Sequence, residues 1–348
     1  MKSYNIAILG ATGAVGQEFL QLIEERKFPY AELKLLASAR SAGKKIEFMG
    51  KEYIVEEATA ESFKDIDIAL FAGGAASKTF AQAAVDCGAI VIDNGSAFRM
   101  DPDVPLVVPE VNPEALYKHK GIIANPNCST IIMATALKPL YDRSKIKRII
   151  VSTYQAVSGA GKEAIDELTE QVKAVIEGEE VRANILPTAS MEQKYQIAFN
   201  LIPQIDVFTD NGYTKEEMKM VLETQKIFND NDIAITATTI RVPVYRSHAE
   251  SITIETQAKL TAEEAKEILM QAPGVIVLDD PKKQVYPMPL FTSNKDEVYV
   301  GRIREDISHP RGLNLWVVGD QIRKGAALNA LQIAEYMISH KLIRSGKN

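Results

Sequence analysis

Two cysteines, Cys87 and Cys128, are all that the 348 residues contain, and their surroundings differ. Ala124-Asn125-Pro126-Asn127-Cys128-Ser129-Thr130 leads from a short apolar stretch into the helical run Ile131 to Leu140, which sets the Cys128 thiol at a helix start. Exposed backbone N–H groups and the helix dipole favour a thiolate there, and the same donors can hold an oxygen as negative charge develops on it. Cys87 ends the helical stretch Thr79 to Cys87 and reads as the blander case, a small buried hydrophobe. So few cysteines make neither a disulfide framework nor a metal-ligand cluster, and no metal is expected.

A nucleophilic thiol needs a group that moves a proton, and four histidines are available. His119 lies among lysines and His340 in the terminal helical segment, so both read as solvent-exposed, while His309 sits in a Ser-His-Pro-Arg-Gly turn. His248 follows the β-rich run Arg241 to Ser247 and is the preferred base, the alternative being an ordinary surface or core histidine.

The elements that must position these groups begin with a glycine-rich turn. Gly10-Ala11-Thr12-Gly13-Ala14-Val15-Gly16 follows the first apolar run and precedes the helical run Gln17 to Glu25. Glycines at a strand-to-helix turn let the backbone approach a pyrophosphate, which the helix N-terminus then holds. The spacing is G-x-x-G-x-x-G and departs from the usual dinucleotide fingerprint, so a tight turn with close helix packing is the competing explanation. The next strand ends Ala37-Ser38-Ala39-Arg40-Ser41, with no carboxylate for a ribose 2′-hydroxyl but a guanidinium and hydroxyls suited to a 2′-phosphate. That favours NADP(H) over NAD, with an exposed polar loop as the plain alternative. A thiolate beside a nicotinamide implies a covalent acyl or hemithioacetal adduct that exchanges a hydride with the cofactor.

Length fits two domains at roughly 150 residues each. Short apolar runs at Ile6 to Leu9, Leu33 to Ala37, Ile68 to Ala72, Ile90 to Asp93 and Ile122 to Asn125 alternate with helical stretches, the pattern of a parallel nucleotide-binding sheet. Longer β-rich runs follow, at Lys147 to Val157, Ile233 to Val244 and Ser251 to Thr256, with helices expected at Glu163 to Ile176 and Thr214 to Phe228. The fold class is therefore α/β: an N-terminal Rossmann-type domain, residues 1–127 plus about 316–348, and an α+β domain with a mixed sheet, residues 128–315, which carries Cys128 and His248. Gln193 to Phe208 shows no pattern that assigns it to an element. Forty basic residues, scattered along the chain, against 46 acidic ones argue against nucleic acid as a partner. The absence of a signal-like start or a long apolar run argues against a membrane and predicts a cytoplasmic protein.

Five blocks in order, namely Gly10 to Gly16, Asn94-Gly95-Ser96-Ala97-Phe98-Arg99, Asn127 to Thr130, Gln155-Ala156-Val157-Ser158-Gly159-Ala160-Gly161 and Arg241-Val242-Pro243, resemble the bacterial aspartate-semialdehyde dehydrogenases over essentially the whole chain. The resemblance implies NADPH-dependent reductive dephosphorylation of L-aspartyl 4-phosphate to L-aspartate 4-semialdehyde, on the route to lysine, methionine, threonine and diaminopimelate, by a homodimer. It makes Cys128 the nucleophile, His248 the general acid/base and Gln155 an orienting group. Arg241 then pairs with the substrate α-carboxylate, Glu216 with its ammonium, and Arg99, Asn127 and Lys219 with phosphate. Gly10, Thr12, Gly13, Ala14, Val15, Gly16, Ser38, Arg40 and Ser41 fall to the cofactor. Ser158, Gly159 and Gly161 fall to its nicotinamide side, and Asn314, in a run expected to return to the first domain, to its carboxamide.

Glu216 and Lys219 are three apart on one expected helix, so they share a face, although a weak surface ion pair would give the same spacing. Thr214 and Glu217 spell a capping box. N-acetyl-glutamyl-phosphate reductase is the nearest rival, and Glu216 argues against it, because a blocked amine needs no carboxylate. A non-catalytic NADP-binding redox sensor is the reading from another class.

Overall fold

The computed structural model describes residues 3–188 and 191–343; the outermost residues of the expected first domain, 1–2 and 344–348, lie outside this range. Backbone contacts divide the chain into two compact units, residues 1–127 with 326–348 and residues 128–325.

In the first unit, β1 (Tyr4–Leu9) leads through the glycine turn into α1 (Ala14–Glu25) and β2 (Tyr30–Ala37). A hairpin that the sequence pattern did not reveal, β3 (Lys45–Phe48) and β4 (Lys51–Ile54), precedes the two-residue β5 (Glu56–Glu57). Then come β6 (Ile68–Phe71), α2 (Ala76–Asp86), β7 (Ile90–Asp93) and β8 (Ile122–Ala124). The sheet runs β5-β2-β1-β6-β7-β8 with every pair parallel. Both faces are covered, which is why the strands read as unbroken apolar runs and not as alternation. Ile6, Ile8, Ile68, Leu70 and Ile92 pack with α1 and the C-terminal helix Leu328–Ser339, while Ala7, Leu9, Ala69, Phe71 and Val91 pack with α2. Cys87 follows α2 and packs against the core on that side of the sheet as a small hydrophobe, but it is partly and not wholly buried, because the helix ends there and leaves its Sγ at the rim, 3.8 Å from the Ala60 carbonyl.

The second unit starts with α3 (Cys128–Arg143) and β9 (Ile146–Gln155), then α4 (Lys162–Glu177) and α5 (Lys215–Phe228). After these come β10 (Ala234–Arg241), β11 (His248–Thr256), α6 (Ala262–Met270), β12 (Val275–Val277), the short α7 (Pro289–Thr292), β13 (Val298–Glu305) and β14 (Gly312–Gly319). Its sheet, β10-β9-β11-β14-β13-β12, is mixed: β10 with β9 and β12 with β13 are parallel, the others antiparallel. Helices α3, α5 and α6 cover one face. Burial therefore alternates along β9, with Ile149, Val151, Thr153 and Gln155 inward.

The expected boundary between the domains needs correction, and the segment left unassigned finds its anchors. The return to the first unit comes at Ala326 and not near residue 316, because β14 is hydrogen-bonded along both edges, to β11 and β13, and cannot leave this sheet. The unassigned Gln193 to Phe208 is organised by long-range bonds: the Gln171 side chain accepts from the N–H groups of Ile197 and Ala198, and Ile202 exchanges both backbone bonds with Arg241.

Candidate active site

In the first unit the order of strands reverses between β1 and β6, the place where open α/β sheets bind ligands. The β1–α1 turn lies there. Gly10 holds a positive φ of 87°, and a Cβ at Gly16 would fall 2.3 Å from the Gly10 carbonyl oxygen, so both positions require glycine for the turn itself. At Gly13 the nearest atom to such a Cβ is 3.5 Å away; that glycine leaves room above the helix start for a ligand. Thr12 Oγ1 approaches Ser41 Oγ at 3.5 Å, bringing the glycine turn to the end of β2, where Ser38 and Arg40 are exposed and no carboxylate stands between Ala37 and Ala42. The residues fit a dinucleotide with a 2′-phosphate.

Arg99, which alone could pass for a solvated loop residue, is buried, with Nη2 donating to the Asn94 carbonyl at 2.8 Å. The loop it belongs to is anchored by Asp93, whose Oδ1 accepts from Ser77 Oγ (2.6 Å) and the Gly95 N–H (2.8 Å). Burial raises the Asp93 pKa, against the opposing pull of those two bonds and of Arg99. Asn125 donates to Asn94 Oδ1 and accepts from Asn329 of the C-terminal helix, fixing the backbone just before the buried Asn127.

In the second unit, three expected residues stand in one line across the sheet. Arg241 on β10 pairs with Gln155 on β9, and the pairing of Ala249 with Tyr154 sets His248 on β11 level with Gln155. All three are buried on the helix-covered face. Cys128 is the first residue of α3, and Ile132, one turn later, lies against Gly319, the residue opposite His248. Cys128 is partly exposed and acts electrostatically on Arg241. Close backbone approach completes the group: a Cβ at Gly325 would come within 2.9 Å of the Cys128 Cβ, and one at Gly159 within 3.0 Å of Arg241 Nη1 and 3.5 Å of His248 Nε2.

His248 Nδ1 accepts from the Ala156 N–H at 3.1 Å, so the neutral ring carries its proton on Nε2. Burial, and then the Arg241 charge, push its pKa down to about 3, with Glu216 pulling the other way. Gln155 Nε2 donates to Glu216 Oε1 at 3.2 Å and lies 3.3 Å from His248 Nε2. Glu216 Oε2 accepts from Lys219 Nζ at 3.0 Å, and Asp206 takes a second bond from that ammonium at 3.1 Å. Burial works against the charged lysine, but the two carboxylates carry its pKa above the ordinary value. The pair does share a helix face, and the burial of Glu216 separates it from a surface ion pair. Thr214 and Glu217 form the expected capping box at the start of α5.

Asn314 is not part of this group. It occupies the middle of β14 with its Oδ1 accepting from Thr253 (2.6 Å), and strand alternation points it to the sheet face opposite His248, the side of Gly319 and Val317 being the other one. The sequence reading also passed over Gln321, whose side chain donates to Ser158 Oγ at 2.5 Å and accepts from the Ser247 N–H at 2.8 Å. It lies in the polar run Asp320-Gln321-Ile322-Arg323-Lys324-Gly325 at a strand end, which is buried although a charged run without apolar periodicity reads from sequence as a solvated loop.

The profile of the semialdehyde dehydrogenase dimerisation domain matches residues 137–324, and that of the semialdehyde dehydrogenase NAD-binding domain residues 5–119. Aspartate-semialdehyde dehydrogenase of Aquifex aeolicus (strain VF5) is 57% identical over 345 residues, covering 98% of this chain and 99% of the relative. The crystal structure of aspartate semialdehyde dehydrogenase II of Vibrio cholerae, complexed with ASA, superposes with a TM-score of 0.92 at 51% identity, covering 97% of this chain and 99% of that one. A crystal structure of the Candida albicans enzyme with NADP gives 0.74 at 25% identity, covering 98% and 100%. By these matches along nearly its full length, the chain belongs to the aspartate-semialdehyde dehydrogenase family.

Proposed function

We propose that the chain reduces L-aspartyl 4-phosphate to L-aspartate 4-semialdehyde with release of phosphate, using NADP(H), as a step in amino-acid biosynthesis. The observation that carries the mechanism is the position of Cys128 at the first turn of α3, in the same unit as the buried row Arg241, Gln155 and His248. The Cys128 thiolate attacks C4, the carbon–oxygen bond to phosphate breaks, and a thioester remains. The bound cofactor supplies the hydride that reduces that carbon. His248, held neutral with its proton on Nε2, donates a hydrogen bond to the oxygen that develops charge, and that oxyanion re-forms the carbonyl as the C–S bond breaks and Cys128 leaves as the thiolate. Arg241 receives the α-carboxylate, and its buried Nε, without a hydrogen-bond partner among the described residues, is a donor suited to that role. Glu216 receives the ammonium, which also favours this substrate over one with an acetylated amine. Lys219 is assigned to phosphate, and Arg99 and Asn127 carry the same assignment by resemblance. Ser158, Gly159 and Gly161 are assigned to the nicotinamide.

The match to a dimerisation-domain profile supports a homodimer. Among the described residues no helix is long and apolar enough to cross a membrane, and we take the cytoplasm as the place of action. The test is reduction of NADP by aspartate semialdehyde, dependent on inorganic phosphate, with Cys128→Ala alongside. The parent should turn over, and the variant should bind NADP yet show no turnover. Turnover by the variant would remove Cys128 as nucleophile, and no turnover by the parent would remove the function.

A further inference from the structure

Behind the row Arg241, Gln155 and His248 lies a second one, two residues along each strand: Thr239, Thr153 and Glu250, paired in register and fully buried. Thr153 Oγ1 donates to Gln155 Oε1 at 2.9 Å, and this bond faces away from the reacting groups. It matters because the Gln155 amide has two orientations of nearly equal shape. With Oε1 on Thr153, the NH2 group faces Glu216 and the Nε2 edge of His248. Turned over, Oε1 would face His248 instead and accept the Nε2 proton, because the Ala156 N–H already occupies Nδ1. The ring would then be paired with glutamine and closed to the reaction.

Glu250 stands directly opposite Thr153, a separation of about 5 Å between Cβ atoms in an antiparallel pair. Neither of its carboxyl oxygens has a hydrogen-bond partner among the described residues. An ionised carboxylate there would draw the Thr153 O–H toward itself and away from Gln155. Burial raises the Glu250 pKa well above the usual range, which favours the neutral acid, a form that could donate toward Thr153 across the strand pair.

We infer that Thr153 and Glu250 are positioning residues which lock the Gln155 amide and so keep the His248 Nε2 proton available to the substrate. The inference rests on the proposed roles of Gln155 and His248. Thr153→Val removes the hydroxyl at constant shape, and Thr153→Ser retains it. The valine variant should lose kcat by roughly tenfold, the size expected for one buried hydrogen bond, with KM within about twofold, and serine should restore kcat. In a Gln155→Leu background the valine substitution should change kcat by less than about twofold, since there is no amide left to orient. Glu250→Gln, neutral and able to donate, should keep kcat within about threefold.

A Thr153→Val enzyme with parental kcat, or equal losses in both backgrounds, overturns the lock while leaving the proposed reaction intact. A large loss in Glu250→Gln overturns the part given to the neutral acid. Full activity of Gln155→Leu alone overturns the role of Gln155 and the inference with it.

Discussion

Arg241 is held by its Nη1 bond to the Ala156 carbonyl at 2.6 Å and by its place in the sheet, and its buried Nε has no hydrogen-bond partner among the described residues. Its burial disfavours the cation, and Glu216 and then Cys128 offset part of that. A planar fork in this setting suits a carboxylate in a way an ammonium cannot. Arg241→Lys is expected to raise KM for aspartate semialdehyde roughly 10- to 100-fold, the range for a lost charged hydrogen bond, with a smaller effect on kcat. Steady-state kinetics decide this, and an unchanged KM would reassign the residue. Single residues were unequally legible. Cys128 stood out because a thiol at a helix start has a chemical consequence, whereas Gln155 has none until its amide is seen between Glu216 and His248. Arg99 was readable only through resemblance, since nothing in its sequence neighbours announces that it is buried.

Helix α5 shows how an element delivers such side chains. Thr214 Oγ1 accepts from the Glu217 N–H, Glu217 Oε2 accepts from the Thr214 N–H, and Glu217 Oε1 accepts from the Thr239 N–H of β10 at 2.9 Å. One buried carboxylate therefore caps the helix and ties it to the sheet, next to Glu216. Thr214→Ala should cost about 1 kcal/mol, as cap losses do. Glu217→Ala should cost more, because it also leaves a buried strand N–H unpaired. Urea unfolding followed by the fluorescence of Trp316, the chain's one tryptophan, ranks the two; equal losses would show that the bond to Thr239 adds nothing. The cap was readable because Thr and Glu at this spacing have a local meaning. The same spacing at Thr261 and Glu264 marks α6, which the strand-rich texture around it obscured. Strand β14 was misjudged for a different reason: whether a run stays in one sheet is decided by its partners β11 and β13, which lie far away in sequence.

For the molecule as a whole, Glu250 and His248 bury two titratable groups on one strand, and their effects on stability have opposite signs. The folded chain raises the Glu250 pKa above its ordinary 4.5, so its contribution is complete below that pH and is lost as pH rises toward the folded value. It lowers that of His248 from 6.5 to about 3, so the histidine contributes fully above 6.5 and its contribution is lost as pH falls toward 3. Taken alone, the two favour an intermediate pH, and neutral conditions leave Glu250 a net cost to folding. A protein that keeps such a group gains something other than stability from it, consistent with a role behind Gln155. Glu250→Gln removes one of the two titrations. The unfolding free energy of the variant minus that of the parent, read from Trp316 fluorescence in urea, should therefore become more favourable from pH 5 to pH 8, by up to about 1.4 kcal/mol per pH unit. The sign at any one pH also contains the cost of burying an amide, but the slope does not. A difference that stays flat over this range would mean that Glu250 holds its proton no more tightly folded than unfolded, and that the hydroxyl of Thr153 faces a carboxylate.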